Sequence, residues 1–172
     1  DVGVEPTVKE DPYEGWLEYV LADCEVNLLA PPEWISGRRG ENGACGSFKS
    51  KEDTLANNFD EYEGVLMVVV DLDSEDSKYT YGNVKDLETL IKRFKTDPEG
   101  LDPDEALLIE QREMRFAGTD AIYAQISRPI IGMSYNIFYE IDGKNYALIW
   151  GGIEVEAEQE TIDLIIARAR KN

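Results

Sequence analysis

The sequence contains no histidine among its 172 residues. That absence removes every Ser-His-Asp and Cys-His catalytic arrangement, imidazole general bases and His-ligated zinc or iron. Basic residues are scarce as well: 17 stand against 36 acids, giving a formal net charge of −19 and a pI near 4.2. Such a field opposes approach to DNA, RNA or anionic lipid, so no nucleic-acid partner is expected. Long apolar runs are missing too. The longest, residues 65–70, falls far short of the roughly 20 residues that span a bilayer, and no transmembrane segment is expected in this chain. Cysteine occurs only twice, as Cys24 and Cys45. The even count is compatible with a disulfide in an exported protein, with two buried thiols in a cytosolic domain as the alternative. Cys45 sits in the turn-like Gly43-Ala-Cys-Gly46, yet a catalytic thiolate needs an activating base and no histidine can supply one, so a disulfide is the favoured role.

What remains is ordinary globular material: 42% hydrophobic residues, 10% aromatic, and a length that fits one domain. Residues 1–15 carry two prolines and several carboxylates without apolar periodicity, which predicts a flexible acidic lead-in or tether before a single domain over 16–172. Because the sequence opens on Asp1 rather than Met, a mature or trimmed form whose leader has been removed is expected.

Strand patterns follow at 16–21 and 24–29, the second ended by Pro31-Pro32, and a short strand is predicted at 44–49. Residues 64–70 are β-branched and apolar without alternation, as in a central strand covered on both faces. Val84, Leu87, Leu90, Ile91 and Phe94 recur at helical spacing behind Asn83, a capping residue, with Asp86 in the first turn. Three strands in meander order are predicted at 106–116, 121–128 and 134–140, the first two joined through Gly118-Thr-Asp120. Asp142-Gly143 between two alternating runs predicts a hairpin with a type I′ turn. Ile162, Ile165, Ile166 and Ala169 form a last helical stripe, with acids before it and Arg168, Arg170 and Lys171 at its end, an order that complements the helix dipole. The expected class is α+β, a mostly antiparallel sheet with helices packed on both faces as an α/β/α sandwich.

The early strand running into Pro32-x-Trp34, the strand-turn-strand through Ala117-Gly118, the hairpin around Gly143-Lys144-x-Tyr146 and the terminal amphipathic helix together resemble the PsbP-like superfamily. That superfamily takes in photosystem PsbP proteins, the yeast Ran-binding Mog protein and bacterial DcrB-type lipoproteins. The resemblance spans roughly residues 18–170 and implies an antiparallel sheet with helices on both sides and a non-enzymatic accessory or binding role. It also implies an exported or lipid-anchored bacterial setting. The acidic lead-in, with Lys9 as its one cation, does not match the basic N-terminal contacts by which plant PsbP binds photosystem II.

Asp71-x-Asp73-x-Glu75-Asp76 follows the central strand, and alternating carboxylates are the hard oxygen ligands that calcium prefers. An EF-hand would place Gly sixth and Glu twelfth, where Asp76 and Gly82 stand, so Asp71, Asp73 and Glu75 are candidate weak calcium ligands beside the default of a solvated acidic turn. Paired carboxylates could serve a hydrolase, but among 36 acids no pair is singled out. The three tryptophans and nine tyrosines lie in strand-like segments and read as core and sheet-face packing. No catalytic residue and no cofactor other than weak calcium is expected. The function expected is a non-enzymatic, extracytoplasmic accessory domain that recognises a protein with a basic or mixed patch through the polar loops 37–43, 50–63 and 97–104, with its oligomeric state open. A calcium-dependent binding domain and a carboxylate hydrolase are the alternatives.

Overall fold

The computed structural model describes residues 3, 10–37, 44–52, 58–75, 77, 81–103, 105–129 and 131–172. Among the described residues, ten strands fall into two sheets. β1 (Leu17–Leu21), β2 (Val26–Ala30) and β10 (Arg170–Lys171) form a three-stranded sheet in the order β1-β2-β10. The other seven are β3 (Ile35–Gly37), β4 (Ala44–Lys49), β5 (Leu66–Asp71), β6 (Leu107–Phe116), β7 (Thr119–Arg128), β8 (Gly132–Ile141) and β9 (Lys144–Gly151). Their order is β3-β4-β5-β9-β8-β7-β6, with every neighbouring pair antiparallel.

Two tight turns set the register of the meander. Asp142 and Gly143 have φ of 51° and 79°, which is the type I′ geometry predicted for Asp-Gly, and Ile141 pairs with Lys144 across the turn. The β6–β7 turn closes one residue earlier than the sequence pattern predicts, on Ala117 and Gly118 with φ of 50° and 75°. Phe116 is buried and pairs with Thr119, and the next pair, Arg115 with Asp120, joins opposite charges, so Thr119 and Asp120 belong to the strand.

The large sheet has a core on each side, which is why β5 shows no alternation. Met67 and Val69 belong to one cluster, while Val70, with Val68 packed against it, belongs to the other. The first cluster is roofed by the small sheet and by α2 (Gln159–Arg168), whose Ile162 and Ile165 are buried. The second lies beneath α1 (Leu87–Lys92), which buries Leu87, Leu90 and Ile91 near Phe138, and beneath irregular chain carrying Leu72, Val84 and Phe94. The α/β/α sandwich is therefore not formed. One cover is a small sheet plus a helix, because residues 26–30 pair in strands and the tail beyond α2 adds β10 to β2; the other holds the six-residue α1 and irregular chain.

Asp86, not Asn83, caps α1. Its backbone is extended and its carboxylate accepts from Thr89 N at 2.7 Å, whereas the Asn83 carbonyl accepts from Arg93 Nη2 at 2.6 Å outside the helix. The cap bond holds the Asp86 carboxyl below its ordinary range. A lowered folded-state pKa gives stability that is present above the ordinary carboxylate pKa and lost as pH falls through the lowered one. Asp86→Ala is therefore expected to depress the thermal midpoint at neutral pH, and the gap to the parent should close in strong acid. A gap that does not change with pH would mean the carboxylate charge plays no part in the cap.

Of the lead-in, residues 1, 2 and 4–9 lie outside the described residues. Tyr13 docks on α2: its hydroxyl donates to Leu164 O at 3.0 Å, Arg168 lies over its ring at 4.4 Å, and Trp16 meets it edge-on.

Candidate functional site

The two cysteines form a disulfide with Cα atoms 6.0 Å apart. Cys24 ends a 3-10 turn (Ala22–Cys24) between β1 and β2 rather than starting a strand, because Glu25 turns left-handed at φ 54° before β2 begins. Cys45 lies in β4, so the bridge ties the turn of the small sheet to the large one.

The acidic loop after β5 uses its carboxylates on the backbone. Asp71 Oδ1 accepts from Asp73 N at 2.9 Å and Asp73 Oδ2 from Asn145 N at 3.0 Å. Ser74 and Ser77 donate to Asp71 O at 2.8 Å each, which winds the chain tightly below the strand end. Glu75 continues this turn, and Asp76 lies outside the described residues. Among the described residues no three Asp, Glu or Cys side chains converge as a metal-ligand set.

The loops expected to carry recognition are placed unevenly. Residues 38–43, 53–57 and 104 lie outside the described residues. The rest of loop 50–63 is held down on the sheet: Tyr62 is buried with its hydroxyl donating to Lys51 O, Phe59 N donates to Ile131 O at 2.8 Å, and Met133 N donates to Asp60 Oδ1 at 3.2 Å. Residues 97–103 are mostly exposed.

A concavity lies elsewhere, between α1 and the β6–β7 hairpin. It is an open trough of about 870 Å³. α1 turns Leu87 and Ile91 toward the sheet and lines one wall with Glu88 and Lys92; Glu113, Asp120 and Glu140 stand on the other side. Most of these charges are already paired. Lys92 Nζ meets Glu88 at 2.9 Å and Arg115 meets Asp120 at 2.6 Å. Glu113 and Glu140 have no cation against them among the described residues, and the register places both on the trough face, Glu113 beside Ile122 and Glu140 next to Phe138's row. The trough thus mixes apolar side chains with charged ones and holds two uncommitted carboxylates. Sequence reading missed it because its walls come from segments about 20 to 30 residues apart, each with unremarkable surface composition. The signal that was available is the run Glu110-Gln-Arg-Glu-Met-Arg115 on a strand, the charge pattern of an exposed sheet edge.

The carboxylates whose pKa clearly departs from the ordinary range all go down. Glu18 is lowered by its bond from Arg170, Glu105 by Lys95 and Asp86 by the cap. Burial acts instead on tyrosines, pushing Tyr81 up to about 12.

No protein-family model matches the sequence, and no curated protein matches it. Solved structures do. The solution structure of cyanobacterial PsbP (CyanoP) from Synechocystis sp. PCC 6803 superposes over 99% of this chain and 99% of its own, with a TM-score of 0.50 at 12% identity. A Pseudomonas aeruginosa protein of unknown function described as a putative regulator, PA94, covers 87% of this chain and 92% of its own, with a TM-score of 0.43 at 13% identity.

Proposed function

We propose, from a PsbP-like fold that carries this open trough, that the protein is a non-catalytic accessory domain recognising a protein partner with a basic or mixed patch. The observation that carries the reading is the pairing state of the trough: among the described residues no cation meets Glu113 or Glu140, on a surface too open to exclude water from a reaction. A partner that brings Lys or Arg to those carboxylates completes the charge pattern, and the net charge of −19 steers such a partner in. The disulfide supports work in an oxidising, extracytoplasmic compartment, exported or tethered to a membrane.

The test is affinity capture from the envelope fraction of the source organism at low and high salt, with the parent protein and with Glu113→Lys/Glu140→Lys. A partner held by the parent at low salt, released at high salt, and held at least about tenfold less by the variant is the expected result. The variant should keep the parent's thermal midpoint, since both side chains are exposed on strands. Equal capture by parent and variant moves recognition away from the trough. A turnover activity lost on removing a single carboxylate overturns the non-catalytic reading.

A further inference from the structure

β6 is the outermost strand at one end of the large sheet, and its free side is closed at the start of the strand. Lys95 N donates to Ala106 O at 3.0 Å and Leu108 N donates to Lys95 O at 2.7 Å, and the register shifts at a bulge between Leu108 and Glu110. From Glu110 onward the edge changes character. The two-residue turn makes Phe116 and Thr119 a hydrogen-bonded pair, so alternation along the ladder commits Met114 and Arg112 to β7 and turns the N–H and C=O groups of Gln111, Glu113 and Arg115 outward. Among the described residues no hydrogen bond takes these outward groups up.

Edges are ordinarily blunted by shortness, proline, a bulge, a covering segment or charges that would meet their like. β3, at the other end of the sheet, has three residues. Residues 110–116 of β6 hold no proline and no bulge, and their charges alternate in sign through Glu110, Arg112, Glu113 and Arg115. Symmetry decides whether such an edge can pair with itself. Two copies of one strand in a continuous antiparallel sheet are related by a two-fold axis normal to the sheet, so one residue faces itself and every side chain keeps to its own face. Centring on Glu110, Arg112, Glu113 or Arg115 sets that charge against itself. Centring on Gln111 lays residues 113–116 of the second copy over 106–109, where Lys95 is bonded, and centring on Phe116 runs the strand into its turn. Centring on Met114 meets none of these obstacles. It sets Glu113 opposite Arg115 of the second copy and Arg115 opposite its Glu113, each a pair that exchanges outward N–H and C=O groups. The second copy's turn at 117–118 then falls opposite 110–111, short of Lys95.

We infer that residues 110–116 are a self-association edge, on which a second copy of this chain lays its own β6 antiparallel about Met114 to make one sheet across two copies. The two Met114 side chains meet on the side that carries α2, where Met114 is half-buried against the first core cluster. On the trough side, Glu113 gains the cation it lacks within its own chain, and Arg115 is already held on that side by Asp120 at 2.6 Å. The net charge of −19 opposes self-association, but it is screened over about 8 Å at physiological salt, whereas the charges of the seam meet at contact. A seam this short makes a weak, exchanging dimer. It takes up Glu113 and leaves Glu140, two strands further in, open to the partner proposed above. It is tested with no other protein present, so its failure leaves that reading as it stands.

The test is sedimentation velocity of the oxidised protein in about 0.15 M salt, from about 10 μM to 1 mM, beside Glu113→Arg, Arg115→Glu and an equimolar mixture of the two variants. Both side chains are exposed, so both variants should fold, which their thermal midpoints check. The parent should dimerise reversibly with concentration. Each variant alone sets like charges across the axis and should associate at least about tenfold more weakly, while the mixture sets opposite charges there and should recover the dimer. Amide resonances of the parent should shift with concentration along 110–118 and stay in place on β1 and β3. A parent that is monomeric at the top of the range overturns the proposal. So does a dimer that both variants form as well as the parent, a mixture of folded variants that recovers nothing, or a set of shifts on another edge.

Discussion

Gly152→Ala is expected to destabilise the protein by about 4 kcal/mol and to lower its thermal midpoint by roughly 10 °C, the sum of backbone strain and a clash that cannot relax. Gly152 leaves β9 with φ 129°, a conformation essentially closed to residues with a Cβ. An added Cβ would press into the Gly64 carbonyl, 3.0 Å from its carbon and 3.2 Å from Val65 Cα. Both are backbone atoms and neither can rotate aside. The crossing is also where the chain is tied most closely: Ile153 N donates to Tyr62 O at 2.8 Å, Ser50 N to Val65 O at 3.0 Å, and Val65 N to Ser50 Oγ at 2.7 Å. Moving Gly64 to make room would loosen the entry to β5 and the exit from β9 together. Gly118→Ala separates the two contributions. Gly118 also has a positive φ, 75°, but a Cβ there meets nothing within 4 Å, so it should cost only the strain, about 1 kcal/mol. Urea unfolding followed by circular dichroism measures both variants, and equal losses would refute the clash.

Elements fixed by local chemistry were legible in the sequence, and elements fixed by long-range pairing were not. Asp142-Gly143 names its own turn, the apolar run at 65–70 announces a strand with two covered faces, and the isoleucine stripe of α2 is visible as a period. Asn83 misled as a cap because Asn and Asp are both good caps, and the choice between them depends on where Leu87 must sit to reach the core beneath α1. β10 was invisible: two residues, Arg170 and Lys171, carry no strand signal and pair with β2 only because α2 delivers them there, where Arg170 also meets Glu18. The same logic hid both candidate sites. The alternating charges of 110–115 look like ordinary strand surface until the sheet order puts them on a free edge, and Glu113 and Glu140 are two acids among 36 until the fold shows that no cation among the described residues faces them. In the loop at 71–75, whose spacing resembles a ligand set, Asp71 and Asp73 also accept from backbone N–H groups where the chain turns off the strand end.

Cys24→Ser/Cys45→Ser is expected to cost about 3 kcal/mol, since a sequence separation of 21 residues closes a loop of moderate entropy in the unfolded chain, and to lower the midpoint by roughly 10 °C. The loss should be local in its first effects. Besides the bridge, the turn at 22–25 is tied to the large sheet by the Tyr139 hydroxyl donating to Cys24 O at 3.2 Å and the Tyr146 hydroxyl donating to Glu25 Oε2 at 3.4 Å. Burial pushes both phenols well above their ordinary range, so both remain neutral donors at any physiological pH and continue to hold the turn when the sulfurs are gone. The variant should therefore fold, with amide exchange accelerated first in β1, β2 and β10 while β7, β8 and β9 keep the protection of the intact protein. Hydrogen exchange at neutral pH on parent, variant and dithiothreitol-reduced parent distinguishes the outcomes. Acceleration spread evenly over both sheets would show that the bridge stabilises the whole fold and not the seam between its two sheets. Two freely alkylated thiols in unreduced protein from its native compartment would remove the bridge, and with it the argument for an oxidising location.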